Sequence, residues 1–228
     1  MKNLKIIIVF VILSLISINL EAQHKHGDNH ANKQMHKSSV KDLIKSFESE
    51  DRAKTQKPYE VIALFGDLSE KKILDIGSGS GYFTFRLAEK GAYVIAGDVN
   101  DQFLEYINTK IKENDIFSKK IETRKLPFDS PLLAKEEVDG VIIVNTYHHI
   151  EDRIAYFSKV KNGLNDDGML MVVDFMKINF KEVIKGPSYK MRISSSIVIK
   201  ELKKAGFNRV EVDKDILPYQ YIIKAWKK

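Results

Sequence analysis

Short apolar runs alternate along this chain with segments whose apolar positions recur every three or four residues, and the alternation begins near residue 71. Residues 71–76, 93–98, 120–124, 138–145 and 169–174 read as strands. Between them, 82–90, 101–113 and 150–164 read as helices, with Asp101 placed to cap or charge the start of its helix. The stretch at 120–124 is the weaker of these, while 138–145 and 169–174 are rich in apolar residues, as parallel strands covered on both faces require. A helix over 194–205, ended by Gly206, is followed by strands at 209–212 and 220–226 with no helix between them, which implies a terminal hairpin. Upstream, 40–47 and 59–65 read as short helices, the second opened by Pro58, where a missing amide costs nothing. The pattern predicts an α/β fold with a doubly wound seven-stranded sheet, mostly parallel, with an antiparallel C-terminal strand. Ligands are then expected at the carboxyl ends of the strands.

The first residues break this pattern. Lys2 and Lys5 precede an almost wholly apolar run over 6–20, and Glu21, Ala22 and Gln23 follow, so 1–22 reads as a signal peptide or anchor. Export to the periplasm, an uncleaved anchor with the domain outside, and an anchor facing the cytoplasm all fit, because Lys25, Lys33 and Lys37 rival Lys2 and Lys5 in the positive-inside count. Residues 23–39 are polar, hold four of the six histidines and read as a disordered linker before a domain over 40–228. Cleavage after Gln23 would place His26 third from a free amine, an arrangement that chelates copper or nickel; a solvated tether is the simpler reading.

Composition narrows the functional classes. The formal charge of +6 counts Lys2, Lys5 and Glu21, so loss of the signal leaves +5, spread without an arginine cluster or interleaved aromatics. No nucleic-acid partner is expected from such a distribution. With no cysteine there is no disulfide framework and no thiolate chemistry.

The chemistry concentrates at the first strand-to-helix turn, Leu74-Asp75-Ile76-Gly77-Ser78-Gly79-Ser80-Gly81-Tyr82-Phe83. Glycines there permit positive φ and close approach of a ligand to the backbone, and the following helix offers free amides. The alternation of Gly77, Gly79 and Gly81 lacks the third-glycine position of the dinucleotide fingerprint. Asp75, two residues before the turn, would repel a pyrophosphate but suits an ammonium. Asp98 ends the second strand 21 positions after Gly77, the spacing at which an acid meets ribose hydroxyls. A nicotinamide oxidoreductase is disfavoured by the glycine spacing.

With these motifs the chain resembles the class I S-adenosylmethionine-dependent methyltransferases, from about Gln56 to the C-terminus. LDIGSGSGYF matches their first motif, Asp98 the second-strand acid, and VDGVIIVNTYHHIED the fourth strand. It is also similar to a bacterial subgroup with an N-terminal Arg, Trp, Gln, Pro segment, a YHH motif and a late LPxQY segment. Arg52, Gln56 and Pro58, then Tyr147, His148 and His149, then Leu217, Pro218, Gln220 and Tyr221 match these, and Thr55 stands where the subgroup has tryptophan. The resemblance implies a Rossmann-like sheet that binds S-adenosyl-L-methionine through Asp75, Gly77, Ser78, Gly79, Gly81, Tyr82, Asp98 and Asn145. It also implies a third-strand acid for the adenine amine, Glu122 or Asp129, with Glu122 favoured.

Tyr147, His148 and His149 follow the fourth strand, at the edge where the resemblance places donor and acceptor. Methyl transfer needs an aligned acceptor, excluded water and, for a protic acceptor, a base, a duty that suits histidine. These three are the candidate catalytic residues, with a helix-capping or packing role as the alternative for one histidine, and Asp174 is a further candidate for acceptor contact. The expected activity is methyl transfer to a small molecule. An exported nucleoside-binding module without turnover is the competing reading, raised because the methyl donor is made in the cytosol.

Overall fold

In the computed structural model, which describes residues 39–182 and 184–228, strands β1 (Lys72–Ile76), β2 (Tyr93–Asp98), β3 (Ile121–Lys125), β4 (Val138–Val144), β5 (Leu164–Phe175), β6 (Arg209–Asp213) and β7 (Gln220–Trp226) form one sheet. Their order is β3-β2-β1-β4-β5-β7-β6. The first five run parallel, with Leu74 opposite Ile95 on one side and Val141 on the other. β7 inserts antiparallel between β5 and β6, with Val172 opposite Ile223 and Val212 opposite Ile223 from the other edge. This is the predicted Rossmann-like architecture, and the strand order reverses at β1/β4, where such sheets open a crevice.

Side chains alternate across each strand, so the sheet has two cores. Leu74, Ile95, Val141 and Val172 face helices α7 (Arg153–Gly163) and α8 (Ser195–Lys204), meeting Phe157, Val160, Val198 and Leu202. Ile73, Val94, Ile142 and Met171 face the helices α3 (Pro58–Ala63), α4 (Tyr82–Glu89) and α5 (Asp101–Lys112), meeting Ile62, Phe83, Leu87 and Ile107.

Two helices have no counterpart in the apolar pattern. The helix α2 (Glu50–Gln56) follows α1 (Val40–Phe47), and in EDRAKTQ only Ala53 is apolar, so a search for periodicity passes over it. The helix α6 (Asp115–Lys120) is started by Asn114, whose side chain accepts from the Ile116 and Phe117 amides, and is held by Phe117 against Phe85. The helix expected over 150–164 begins instead at Arg153, capped by Asp152, because Tyr147–His149 form a separate 3-10 turn. β5 starts five residues before the expected 169: Leu164 pairs with Val138 across a register shift before Gly140 meets Met169. Asn100, not Asp101, caps α5, while Asp101 occupies the first turn and pairs with Lys125 at 2.7 Å.

The signal or anchor expected over 1–22 and the linker before Ser39 lie outside the described residues. Ser39 itself caps α1, accepting from the Asp42 amide at 3.1 Å. Among the described residues no helix is long and apolar enough to cross a membrane.

Candidate functional site

β1 ends in a turn that only glycine can make at two places. Gly77 has φ +71, and a Cβ there would lie 2.5 Å from the Thr146 side chain. Gly81 has φ +82, and its Cβ would meet the Phe85 ring at 2.6 Å. The turn is tied to β2, since the Gly77 and Ser78 amides donate to the Gly97 carbonyl at 2.8 and 3.1 Å. Asp98 locks both strand ends: one carboxylate oxygen accepts from the Gly79 amide at 2.9 Å, the other from Asn100 at 2.8 Å. Burial pushes its carboxyl up, and these amide bonds pull it back down. Ser78 is buried beside it, and among the described residues its hydroxyl meets no hydrogen-bond partner.

The turn forms one wall of a cavity of about 1320 Å3 over the carboxyl ends of β1, β2, β4 and β5. Of the residues singled out from sequence, Gly77, Ser78, Gly79, Asp98, Asn145, His148 and His149 line it. Asp75, Gly81, Tyr82, Glu122 and Tyr147 are not on its wall, each for a local reason. Asp75 alternates with Ile76, so its carboxylate points behind the turn and accepts from Thr84 Oγ1 at 2.7 Å. Burial there pushes its pKa up to about 6, against the pull of Thr84 and Arg52. Gly81 supports the start of α4, as its φ and its contact with Phe85 show. The Tyr82 ring is buried under the guanidinium groups of Arg52 and Arg86, at 4.2 and 3.8 Å. Glu122 lies near the amino end of β3, away from the cavity, and bonds Arg124 at 2.9 Å. Asp129, its alternative, is also absent from this wall.

A 3-10 turn sends successive side chains in different directions, which separates Tyr147 from the histidines. Tyr147 enters the core, stacks on Phe157 at 4.9 Å and donates its hydroxyl to Glu201 at 2.7 Å. Burial and that carboxylate raise its pKa far above the ordinary phenol range. His148 turns to the cavity, with Nδ1 at 2.9 Å from the fully buried carboxylate of Asp174. His149 packs beside it, ring centres 4.4 Å apart. Burial first, and then His148, lower its pKa to about 4, so it is neutral through the physiological range. Asn145 follows β4 with φ +55, a left-handed conformation that costs a non-glycine residue energy and concentrates at functional sites.

The N-terminal helices roof the cavity. Ser80 donates to Glu48 at 2.5 Å, joining the roof to the glycine turn. From α2, Arg52 lies over Tyr82 and donates to the Phe47 carbonyl at 3.0 Å and to Gln56 Oε1 at 2.5 Å. Burial lowers its pKa to about 10, which leaves it a cation. Gln56 donates to Gln220 at 3.2 Å, and Gln220 donates to Asn145 at 2.5 Å. Thr55 also lines the cavity, its hydroxyl given to the Asp51 carbonyl at 2.9 Å. Much of the remaining wall is apolar, including Phe47, Phe103, Leu126, Phe128, Ile150, Phe175, Pro187 and Met191. Sequence reasoning assigned no role to Arg52, Gln56 or Gln220 and did not pair Asp174 with His148. The resemblance to the bacterial subgroup was the one signal that marked the first three.

Residues 74–172 match the family described as a methyltransferase domain. A tRNA U34 carboxymethyltransferase of Nautilia profundicola is 28% identical over 150 residues, 64% of this chain and 47% of that protein. An uncharacterised methyltransferase of Staphylococcus carnosus is 28% identical over 123 residues, 51% of this chain and 53% of that protein. The chain thus spans about half the length of these curated relatives. Among solved structures, a SAM-dependent methyltransferase from Aquifex aeolicus superposes with a TM-score of 0.72 at 22% identity, covering 84% of this chain and all of that one. A Haemonchus contortus phosphoethanolamine N-methyltransferase in complex with S-adenosyl-L-methionine superposes with a TM-score of 0.60 at 19% identity, over 70% of this chain and 38% of that one. The fold is that of the S-adenosylmethionine-binding methyltransferases, and residues 74–172 within it match a methyltransferase domain.

Proposed function

We propose that this chain transfers a methyl group from S-adenosyl-L-methionine to a small-molecule acceptor held in the same cavity. The observation that carries the reading is one cavity of about 1320 Å3, larger than the roughly 300–1,000 Å3 of a usual single-ligand pocket. It has a glycine turn at one end and a histidine–carboxylate pair at the other. The residues present fit the donor. Asp98 offers carboxylate lone pairs to a ribose diol, the glycine turn offers backbone polar groups, and Val99, Leu126 and Phe128 offer an apolar slot for a purine. When bound, that molecule supplies a methyl group on a sulfonium. The chain aligns the acceptor, covers it with α1 and α2, and takes up its proton on His148.

The tRNA substrate in the names of curated relatives is not carried over. A mostly apolar, roofed cavity and the absence of an arginine cluster favour a small acceptor. Residues 1–22 export the domain or tether it to the membrane, with a cytoplasm-facing anchor as the alternative. Protease protection in fractionated native cells decides which side carries the domain, and so whether donor reaches it.

Calorimetry on the full chain tests the activity reading: S-adenosylhomocysteine binds and NADH does not. Failure of both S-adenosylmethionine and its demethylated product to bind at millimolar concentration would falsify it. A nucleoside-binding module without turnover would bind the product yet never release it from the donor in the presence of a native small-molecule extract.

A further inference from the structure

Amide side chains are ambiguous about which end is oxygen, and here a cation removes the ambiguity. Arg52 can only donate, so Gln56 must turn Oε1 toward it, at 2.5 Å. Gln56 therefore presents Nε2 to Gln220, which answers with Oε1 at 3.2 Å. Gln220 in turn presents Nε2 to Asn145, which answers with Oδ1 at 2.5 Å. Every link points the same way. The chain ends at Asn145 Nδ2, on the cavity wall, as a donor whose orientation is set from the roof helix.

The neighbouring group is equally fixed. Val144 pairs with Val173, and the Asn145 amide donates to the Val173 carbonyl at 2.9 Å, which sets Asn145 against the end of β5 one position before Asp174. Asp174 holds His148 Nδ1 at 2.9 Å, which selects the tautomer with a proton on Nδ1 and leaves Nε2 as the basic nitrogen. One donor and one base thus line the same cavity.

We infer that Arg52, Gln56, Gln220 and Asn145 form a one-way hydrogen-bond chain that fixes a donor beside His148, and that the subsite so built takes a phenol- or enol-type hydroxyl and methylates it on oxygen. The inference rests on the methyltransferase reading above. A hydroxyl oxygen gives its proton to Nε2, accepts from Asn145 through one lone pair and keeps another for the methyl carbon. An amine nitrogen has a single lone pair and cannot both accept from Asn145 and attack. In the step, the O–H bond breaks and the proton passes to His148, where Asp174 stabilises the imidazolium. An oxygen–carbon bond forms as the carbon–sulfur bond breaks, and the electron pair returns to sulfur. Imidazole deprotonates acids not far above its own range, which favours phenols and enols over alkyl alcohols. The ring of Phe175 and the side chains of Pro187 and Met191 suit an aromatic body.

The test uses the full chain saturated with S-adenosylhomocysteine and two probes of like shape that are both neutral at the working pH, 4-chlorophenol and 4-chloroaniline, followed by calorimetry and by the phenolate absorption band. The phenol binds at least about tenfold tighter than the aniline, because the aniline leaves the Asn145 donor unmatched. In Gln220→Glu, measured at about pH 8 so that the new carboxyl is ionised, the carboxylate can only accept. Asn145 must then turn Nδ2 toward it and show Oδ1 to the cavity. The preference inverts in favour of the aniline, and Asn145→Asp reproduces the inversion. Equal binding of the two probes, no binding of the phenol, or equal weakening of both in Gln220→Glu overturns the inference while leaving the methyltransferase reading intact. Failure of S-adenosylhomocysteine to bind removes the reading beneath it.

Discussion

Between Gly77 and Asp98 the cavity is bounded by a single strand–helix–strand unit, and the contacts that shape it are mostly backbone amides meeting a carbonyl or a carboxylate nearby in sequence. Across the cavity, Gln56 and Gln220 meet from 164 positions apart, Gln220 reaches Asn145, and Asp174 holds His148, each pair through its side chains. The near half is a local motif that folds as one piece. The far half exists only after the roof helix, two strand ends and the terminal hairpin have all docked, so the two halves are expected to fail separately.

Gly77→Val should produce the largest effect. It adds strain at φ +71 and a clash with Thr146, costs about 2–5 kcal/mol of stability and removes S-adenosylhomocysteine binding. Normal binding in calorimetry would show that the near half does not depend on its backbone. His148→Gln strikes the other half. Release of S-adenosylhomocysteine from donor with a native small-molecule extract should fall about 10²- to 10⁴-fold while product affinity stays within about twofold. A parallel loss of affinity would mean that the halves are not separable.

Asp75→Asn sharpens the contrast from behind the turn. An acid whose pKa is higher folded than unfolded holds its proton more tightly in the fold, so its ionisation weakens the folded state. For Asp75, raised from 3.8 to about 6, the cost is absent below about pH 4 and complete above about pH 6. The variant should gain up to about 3 kcal/mol in denaturant unfolding at neutral pH, and the gain should vanish in acid. A loss of stability at neutral pH would mean that attraction to Arg52 outweighs burial. Asp98→Ala should weaken product binding by about 1–3 kcal/mol through lost charged hydrogen bonds, and unchanged affinity would reject the ribose role. Tyr147→Phe is the mildest change. It removes one bond to Glu201, costing about 1–2 kcal/mol of stability, and should leave product affinity unaltered, since the ring lies in the core and not on the cavity wall.

The apolar pattern revealed the central strands β1, β4 and β5 because buried parallel strands are mostly apolar, and it missed α2 because that helix is held by Arg52 over Tyr82 and by amide bonds rather than by an apolar stripe. The glycine turn and Asp98 could be read directly, as their spacing within one unit is their geometry. Asp75, Tyr82, Glu122 and Tyr147 were singled out for position in the chain, yet side-chain direction takes each of them off the cavity wall. Direction depends on strand parity, on distance from the carboxyl end of a strand and on the 3-10 turn after β4, none of which a motif records.

By itself the order of residues determined the sheet, the crossover helices and the glycine bend, since each follows from interactions within a few dozen positions. The tertiary structure alone decided that Gln220 meets Gln56, that Asp174 claims His148 and that Asn145 becomes a directed donor. Hydrogen bonds between distant side chains require partners at about 3 Å with the right ends facing, and only the packed sheet supplies that registration.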